Sequence, residues 1–205
     1  MEQRSPEWYQ ARIGKITASC FADVLAKPET ATHKNYMLQV ATERVTGIAQ
    51  GSDYINDAMQ WGIDHEAAAL LAYEAYSGSI LEPCGLILHP ELPHVGGSPD
   101  SLVGASGLLE CKCPKSTTHY EYLLAEKLPA KYRPQVQGQI WVTGREWADF
   151  ISYDPRFPPH VRLLVVRVER DDKYIAELAE RVAEFESGVQ AMMRRIEPVQ
   201  LREAA

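Results

Sequence analysis

The 205-residue sequence predicts an α/β fold, a central mixed β-sheet flanked by helices. Three observations carry that expectation. Apolar residues at 175, 178, 182, 185, 189, 192 and 196 alternate spacings of three and four, which draws one continuous stripe along a helix. Short apolar runs at 80–88, 95–103, 108–113, 147–153 and 161–168 read as strands. Between the second and third of these, Gly104 to Gly107 supply a turn, so strand 108–113 is predicted to return beside Asp100 as a hairpin.

The helices follow from their caps. Ser5-Pro6-Glu7 reads as an N-cap with proline at the first helical position, opening a short helix through Arg12 that stops near Gly14. Thr17 or Ser19 can cap a second helix to about Lys27, and a third spans Asn35 to Thr46 with Gly47 just past its end. Residues 58–77 form a helix stopped by Gly78, with Glu66 on the same side as Ile63, Ala67 and Leu70. A carboxylate on such a stripe needs a partner, either a cation of the chain or a metal. Further helices are predicted at 117–127, at Pro134 to Val142 before Gly144, and at Asp171 to Ile196, the last packing on the sheet or on a neighbouring subunit. No repeat or long linker interrupts this order, so residues 1–205 read as one domain.

Composition narrows the function classes. The chain is 45% hydrophobic and 24% charged, as globular proteins are, and nothing in it approaches the roughly 20 apolar residues of a membrane span. Its polar start, Met1 to Ser5, lacks the layout of a signal peptide, so a cytoplasmic location is expected. Cys20, Cys84, Cys111 and Cys113 have no Cys-x-x-Cys spacing, which argues for reduced thiols over zinc, iron–sulfur or disulfide roles. The net charge of −7 at first speaks against a polyanionic partner. Residues 51–110, however, carry nine acids and no Lys or Arg, while the other 145 residues carry 21 basic and 19 acidic groups. An acidic segment that holds cations, with basic groups confined to a groove, is compatible with DNA binding.

The chemistry concentrates in Ser98-Pro99-Asp100 and Glu110-Cys111-Lys112. On a strand, alternation puts Glu110 and Lys112 on one face and Leu109, Cys111 and Cys113 on the other. Two carboxylates meeting from adjacent strand ends suit a hard divalent cation such as Mg²⁺, and an adjacent ammonium can stabilise anionic oxygens or help deprotonate a water. The combination points to hydrolysis of a phosphodiester. Each half alone reads more simply as a solvated strand face or a turn.

With its elements in this order, the chain resembles the phage-type alkaline exonucleases, the lambda exonuclease and YqaJ-like viral recombinase family of the PD-(D/E)xK nuclease superfamily. The likeness rests on Trp8 to Arg12 with Ile16 to Ser19, Trp61-Gly62 with Glu66, Ser98-Pro99-Asp100, Glu110 to Pro114, Gln135-Val136-Gln137 with Trp141 to Thr143, and Tyr153 to Arg156. It covers nearly the whole chain. Ser101 follows Asp100 where relatives commonly have glycine.

The resemblance implies a restriction-endonuclease-like core and a Mg²⁺-dependent enzyme, with Mn²⁺ as a substitute and two ions expected. It would degrade one strand of duplex DNA from a 5′-phosphorylated end and leave 3′ single-stranded tails for recombination by annealing. Asp100, Glu110 and the Cys111 carbonyl would bind the metal, with Glu66 completing the cluster. Lys112 would act as a base or as an electrostatic stabiliser, and Gln135 would contact the nucleophile or the phosphate. Arg12 would anchor the 5′-phosphate with Ser19 beside it, Gln137 would be structural or touch DNA, and Met59 would lie where the DNA strands separate. Trp8 and Trp61 are expected in the core. A homotrimer, a single-strand annealing partner and a phage or prophage origin in a bacterial host are also implied. A restriction-like endonuclease and a catalytically idle DNA-end-binding module are the competing readings; a clustered Asp, Glu and Lys argues against the second.

Overall fold

The computed structural model describes residues 2–50 and 56–196. Five strands form the larger sheet in the order β2 (Leu81–Glu82), β5 (Ser101–Val103), β6 (Gly107–Lys112), β7 (Trp147–Tyr153) and β8 (Leu163–Glu169). Strands β6 and β7 run parallel and the other neighbours antiparallel, which makes the sheet mixed as expected. A parallel pair needs a crossover, and α5 (Ser116–Ala125) and α6 (Arg133–Thr143) provide it. A smaller sheet holds β1 (Ile16–Thr17), β4 (Val95–Gly97) and β3 (Ile87–Leu88), in that order.

Strand alternation sorts the larger sheet's two faces. Leu109, Cys111, Ile151 and Tyr153 pack with Ala69 and Tyr73 of α4 (Asp57–Ser77). On the opposite face Leu108, Ala148 and Phe150 pack with Tyr122 of α5 and Val136 and Ile140 of α6. Helix α4 is also pinned by a polar contact, because the Tyr73 hydroxyl donates to buried Asp149 at 2.6 Å while Arg167 grips the same carboxylate at 2.5 and 3.1 Å. A third core joins the small sheet to α2 (Phe21–Leu25), α3 (Ala31–Thr46) and α7 (Asp172–Arg194). The apolar stripe of α7 enters it through Leu178, Val182, Phe185 and Val189, whereas Ile196 at its end is exposed.

Caps set the helix starts. Ser5 accepts from the Trp8 N–H at 3.2 Å to begin α1 (Pro6–Arg12), Asn56 from Met59 at 2.9 Å to begin α4, and Asp171 from Tyr174 at 3.0 Å to begin α7. Two expectations are corrected. The predicted strands 80–88 and 95–103 each divide between the two sheets, at Pro83 and Pro99. Proline offers no N–H to a ladder, and the two breaks lie together: the Cys84 thiol donates to the Pro99 carbonyl at 3.0 Å, and Gln3 Nε2 reaches both the Cys84 carbonyl (3.2 Å) and the Pro99 carbonyl (2.6 Å). The helix predicted from Thr17 or Ser19 to Lys27 becomes strand β1, a 3₁₀ turn at Ala18–Cys20 and the short α2. Ile16 and Thr17 pair with Val95 and Gly96, a strand too short to show a period.

One close approach fixes α6 against the small-sheet core. A Cβ on Gly138 would lie 2.2 Å from the Phe21 ring and 3.5 Å from Ala18. An exposed helical glycine is ordinarily improved by alanine, by about 1 kcal/mol. Here the expected sign is reversed. Gly138→Ala should destabilise by about 1 to 3 kcal/mol through overpacking, read as a lower urea midpoint at unchanged slope.

Candidate active site

The Ser98-Pro99-Asp100 turn joins β4 to β5, and the hairpin brings β6 back beside it. The Asp100 N–H donates to the Leu109 carbonyl at 3.0 Å, and the Cys111 N–H donates to Asp100 Oδ2 at 2.6 Å. Glu110, one residue before Cys111, therefore sits across from Asp100 on the face that looks toward α6. It is 1% exposed. Its Oε1 accepts the Lys112 ammonium and Gln135 Nε2 (2.6 Å), and its Oε2 accepts Gln139 Nε2 at 2.7 Å. Gln135 and Gln139 stand one turn apart on α6, so both amides reach the same carboxylate.

Electrostatics follow from this crowding. Burial first, and then the Glu110 and Glu66 carboxylates, push the Asp100 carboxyl well above its ordinary range, against the Lys112 charge and the Cys111 N–H. Burial works against the Lys112 ammonium, but Glu110 and Asp100 outweigh it and raise its pKa, so Lys112 keeps its proton at neutral pH. The third acidic group, Glu66 on α4, is paired with Arg4.

Glu66 and Lys112 border a cavity of about 880 Å³ whose lining also includes Arg4, Trp8, Met59, Cys111 and Tyr132, and Asp100 and Glu110 adjoin it through the Cys111 N–H and the Lys112 ammonium that they accept. Met59 is 52% exposed at its edge, on the first turn of α4. The donors are all oxygens, as a hard divalent cation requires, and among the described residues Asp100 has one of its two oxygens bonded. Such a cation would also relieve the repulsion that raises Asp100. Among the described residues no three His, Cys, Asp or Glu side chains converge on one point, since Glu66 is turned to Arg4 and Glu110 to its three donors.

Arg12 and Ser19 form a second polar group. Arg12 donates to the Oγ atoms of Ser98 (3.5 Å) and Ser19 (3.3 Å) and to Thr17 Oγ1 (3.3 Å), and its guanidinium lies 4.3 Å from the centroid of the Trp8 ring. Among the described residues no carboxylate forms an ion pair with it. Burial lowers its pKa from the ordinary arginine value. A smaller cavity of about 190 Å³ opens beside it, lined by Thr17, Tyr36, Gln39 and Glu43.

Asp100, Glu110, Cys111, Lys112, Gln135, Glu66 and Met59 are thus brought together, and Arg12 with Ser19 adjoins them through Ser98. Gln137 is not. Its Nε2 donates to the Glu169 carbonyl at 2.8 Å and its Oε1 accepts the Asp171 N–H at 3.0 Å, so it ties α6 to the β8–α7 turn, and at 2% exposure it presents almost no surface to a ligand. Trp8 and Trp61 are half-buried instead of core. Trp8 Nε1 donates to Ser98 Oγ at 3.0 Å, and Trp61 lies between neighbours, 3.7 Å from the His65 ring and 4.0 Å from the Arg156 guanidinium. Arg4 and Gln139 were not legible as site residues. Arg4 falls in a turn before the first helix, whereas Gln139, four residues after Gln135, could have been found by helical spacing.

Residues 7–146 match the family described as YqaJ-like viral recombinase domain. The fold is similar to that of an alkaline exonuclease, LHK-Exo, from Laribacter hongkongensis, at 40% identity and a TM-score of 0.88 over 94% of this chain and 96% of that one. The same values hold for LHK-Exo in complex with dAMP. A phage-related exonuclease from Haemophilus somnus 129PT shares the fold at 17% identity, with a TM-score of 0.69 over 89% of this chain and 96% of that one. A 60-residue stretch, 29% of this chain and 68% of the relative, is 40% identical to the uncharacterized protein ExoD of Escherichia coli (strain K12).

Two outcomes test the geometry. The raised Asp100 pKa means that its ionised form opposes folding above the ordinary carboxylate range, so Asp100→Asn, which keeps an acceptor for the Cys111 N–H, should raise the melting temperature at pH 7 in EDTA. Gln137→Ala removes the partner of two part-buried backbone groups, of Glu169 and Asp171, and should cost about 1 kcal/mol in chemical denaturation. At a temperature where the protein remains folded it should leave any DNA cleavage at the wild-type rate.

Proposed function

The chain belongs to the YqaJ-like viral recombinase domain family, and from that premise we propose that it is a DNA exonuclease of recombination, dependent on Mg²⁺, that digests one strand of duplex DNA from its 5′ end and leaves 3′ single-stranded tails. The observation that carries this reading is the pair of charge clusters hung on one turn. Lys112 and Cys111 line the large cavity and bind Glu110 and Asp100 behind them, and Arg12, held by hydroxyls and by no carboxylate among the described residues, joins the same turn through Ser98. A cation kept half-buried without an anion suits a terminal phosphate, and the guanidinium fork can donate two parallel bonds to one. LHK-Exo, the 40% identical relative, has a structure in complex with the mononucleotide dAMP, which supports release of single nucleotides here.

In this reading Asp100, Glu110 and the Cys111 carbonyl hold the cation, Mn²⁺ being able to replace Mg²⁺, with Glu66 available once Arg4 lets it go. One or two bound ions would supply positive charge to the phosphoryl oxygens and lower the pKa of water. Water attacks phosphorus and the bond to the 3′ oxygen breaks; that oxygen takes a proton, and the shortened strand begins with a new 5′-phosphate. Lys112, held as ammonium, stabilises the charge that builds on the phosphoryl oxygens. Gln135 orients Glu110 and lies where its amide can turn to the phosphate. Ser19 supports the Arg12 anchor, and exposed Met59 wedges the strands apart at the cavity edge.

Residues 1–205 act as one domain in this proposal, and three copies form a ring around DNA. Exposed Leu71, Tyr76 and Ile80 on and after α4 are apolar surface that such an assembly can cover. The enzyme is phage- or prophage-encoded, works in a bacterial cytoplasm and hands its 3′ tails to a single-strand annealing protein. No helix of the described residues is long and apolar enough to cross a membrane.

Linear duplexes with 5′-phosphate or 5′-hydroxyl ends, each strand labelled separately, decide the matter. With Mg²⁺ the strand bearing the 5′-phosphate should shorten to mononucleotides while its complement persists, and closed circular duplex should stay intact. Cutting of circles would favour the endonuclease reading. Asp100→Ala should reduce cleavage to background; cleavage at the wild-type rate would remove the site assignment. Arg12→Ala should lose most of the preference for phosphorylated ends, on the order of 1 to 3 kcal/mol, and Arg12→Lys should recover part, since an ammonium keeps the charge without the fork. Sedimentation at micromolar concentration should give a trimer.

A further inference from the structure

We infer that Gln139 is a positioning residue that fixes which oxygen of Glu110 is left for the cation; this rests on the metal-dependent reading above. An ionised carboxylate offers about four lone-pair sites, two on each oxygen. On Glu110, Oε1 is filled by Lys112 and by Gln135 Nε2, and one site of Oε2 is filled by Gln139 Nε2 at 2.7 Å. A single site remains, on Oε2. Gripping both oxygens from two successive turns of α6 also prevents the carboxylate from rotating about its terminal torsion, which is otherwise soft.

The Gln139 amide is itself strained in its satisfaction. The residue is 1% exposed, and its Oε1 is buried with no hydrogen-bond partner among the described residues. Leaving that oxygen bare leaves its desolvation uncompensated. A glutamine kept only to fill space would be better replaced by an apolar side chain of the same length, so the orphaned end marks a group held for its other end. The orientation is also forced: an ionised carboxylate has no proton to give, and only the NH₂ end can face it. The same Nε2 lies 3.4 Å from the Ser98 carbonyl, on the residue whose hydroxyl receives Trp8 and Arg12. Gln139 therefore bridges the turn that carries the Arg12 anchor and the carboxylate that would carry the cation.

The test uses Mn²⁺ as probe, in isothermal titration of the full chain without DNA. Gln139→Met removes the donor and the orphaned oxygen while preserving length and volume. Removing a residue that orients a metal ligand typically weakens the metal by 10- to 100-fold, and about a tenfold weaker Mn²⁺ affinity is expected here, with circular dichroism and melting showing a folded protein. Gln139→His, which can place a ring N–H near the lost amide donor, should recover part of the loss. A merely structural role predicts a changed melting temperature with Mn²⁺ affinity unmoved, and that result would overturn the inference. Wild-type protein that takes up no Mn²⁺ is a different failure: it would remove the cation reading, and this inference with it, before any variant is compared.

Discussion

Glu110 lies inside the larger sheet with 1% of its surface exposed, and a carboxylate in such a place costs several kcal/mol unless its oxygens are partnered. That requirement organises the surroundings. It explains why Lys112 shares the strand face, two residues on, and why α6 presents Gln135 and Gln139 toward the sheet when its neighbours Val136 and Ile140 make ordinary core contacts. It also explains the close seating of α6. The glutamines reach Glu110 only if the helix stays near the sheet, and Gly138 removes the Cβ that would meet Phe21 on the other side.

The same constraint resolves the chain's charge distribution. The stretch 51–110 holds nine acids and no Lys or Arg, yet Glu66, Asp100 and Glu110 from it are not left to repel one another unopposed. Arg4 comes from the N-terminal turn to Glu66, and Lys112 follows just beyond the acidic stretch. Gln3, next to Arg4, is tied to the Cys84 and Pro99 carbonyls, so the N-terminal segment is sewn to the turn that precedes Asp100. An overall charge of −7 is therefore a poor guide to the potential in the cavity, where Arg4 and Lys112 line the wall with Glu66.

Much of this was legible because it obeys short-range rules. The hairpin at Gly104 to Gly107 and the alternation along β6 follow from a period of two, and the stripe of α7 from a period of 3.6; each survives whatever the tertiary fold does. The division of strands at Pro83 and Pro99 has a proline signal, but the apolar residues on either side of each continue the run across it. Strand β1 was not readable, since two residues carry no period and their extended form depends on pairing with Val95 and Gly96, 79 residues downstream of Ile16 and Thr17. The two ends of one motif also separated for a structural reason. Gln135 and Gln137 look equivalent in sequence, but α6 turns about 100° per residue, so Gln135 faces Glu110 while Gln137 faces the β8–α7 turn. Gln139 returns to the face of Gln135.

Ser98, Pro99 and Asp100 give the two charge clusters a fixed separation. Ser98 receives Trp8 and Arg12 through its hydroxyl, and Asp100 begins the carboxylate cluster two residues later. Two residues of chain span at most about 7 Å, and Pro99 narrows the conformations available within that span. Under the proposed function, this turn would hold the Arg12 anchor and the carboxylates in one register. A more flexible turn would blur the register between anchor and cleavage. The proline, the Asp100 N–H to Leu109 bond and the Gln3 contacts all act against that flexibility.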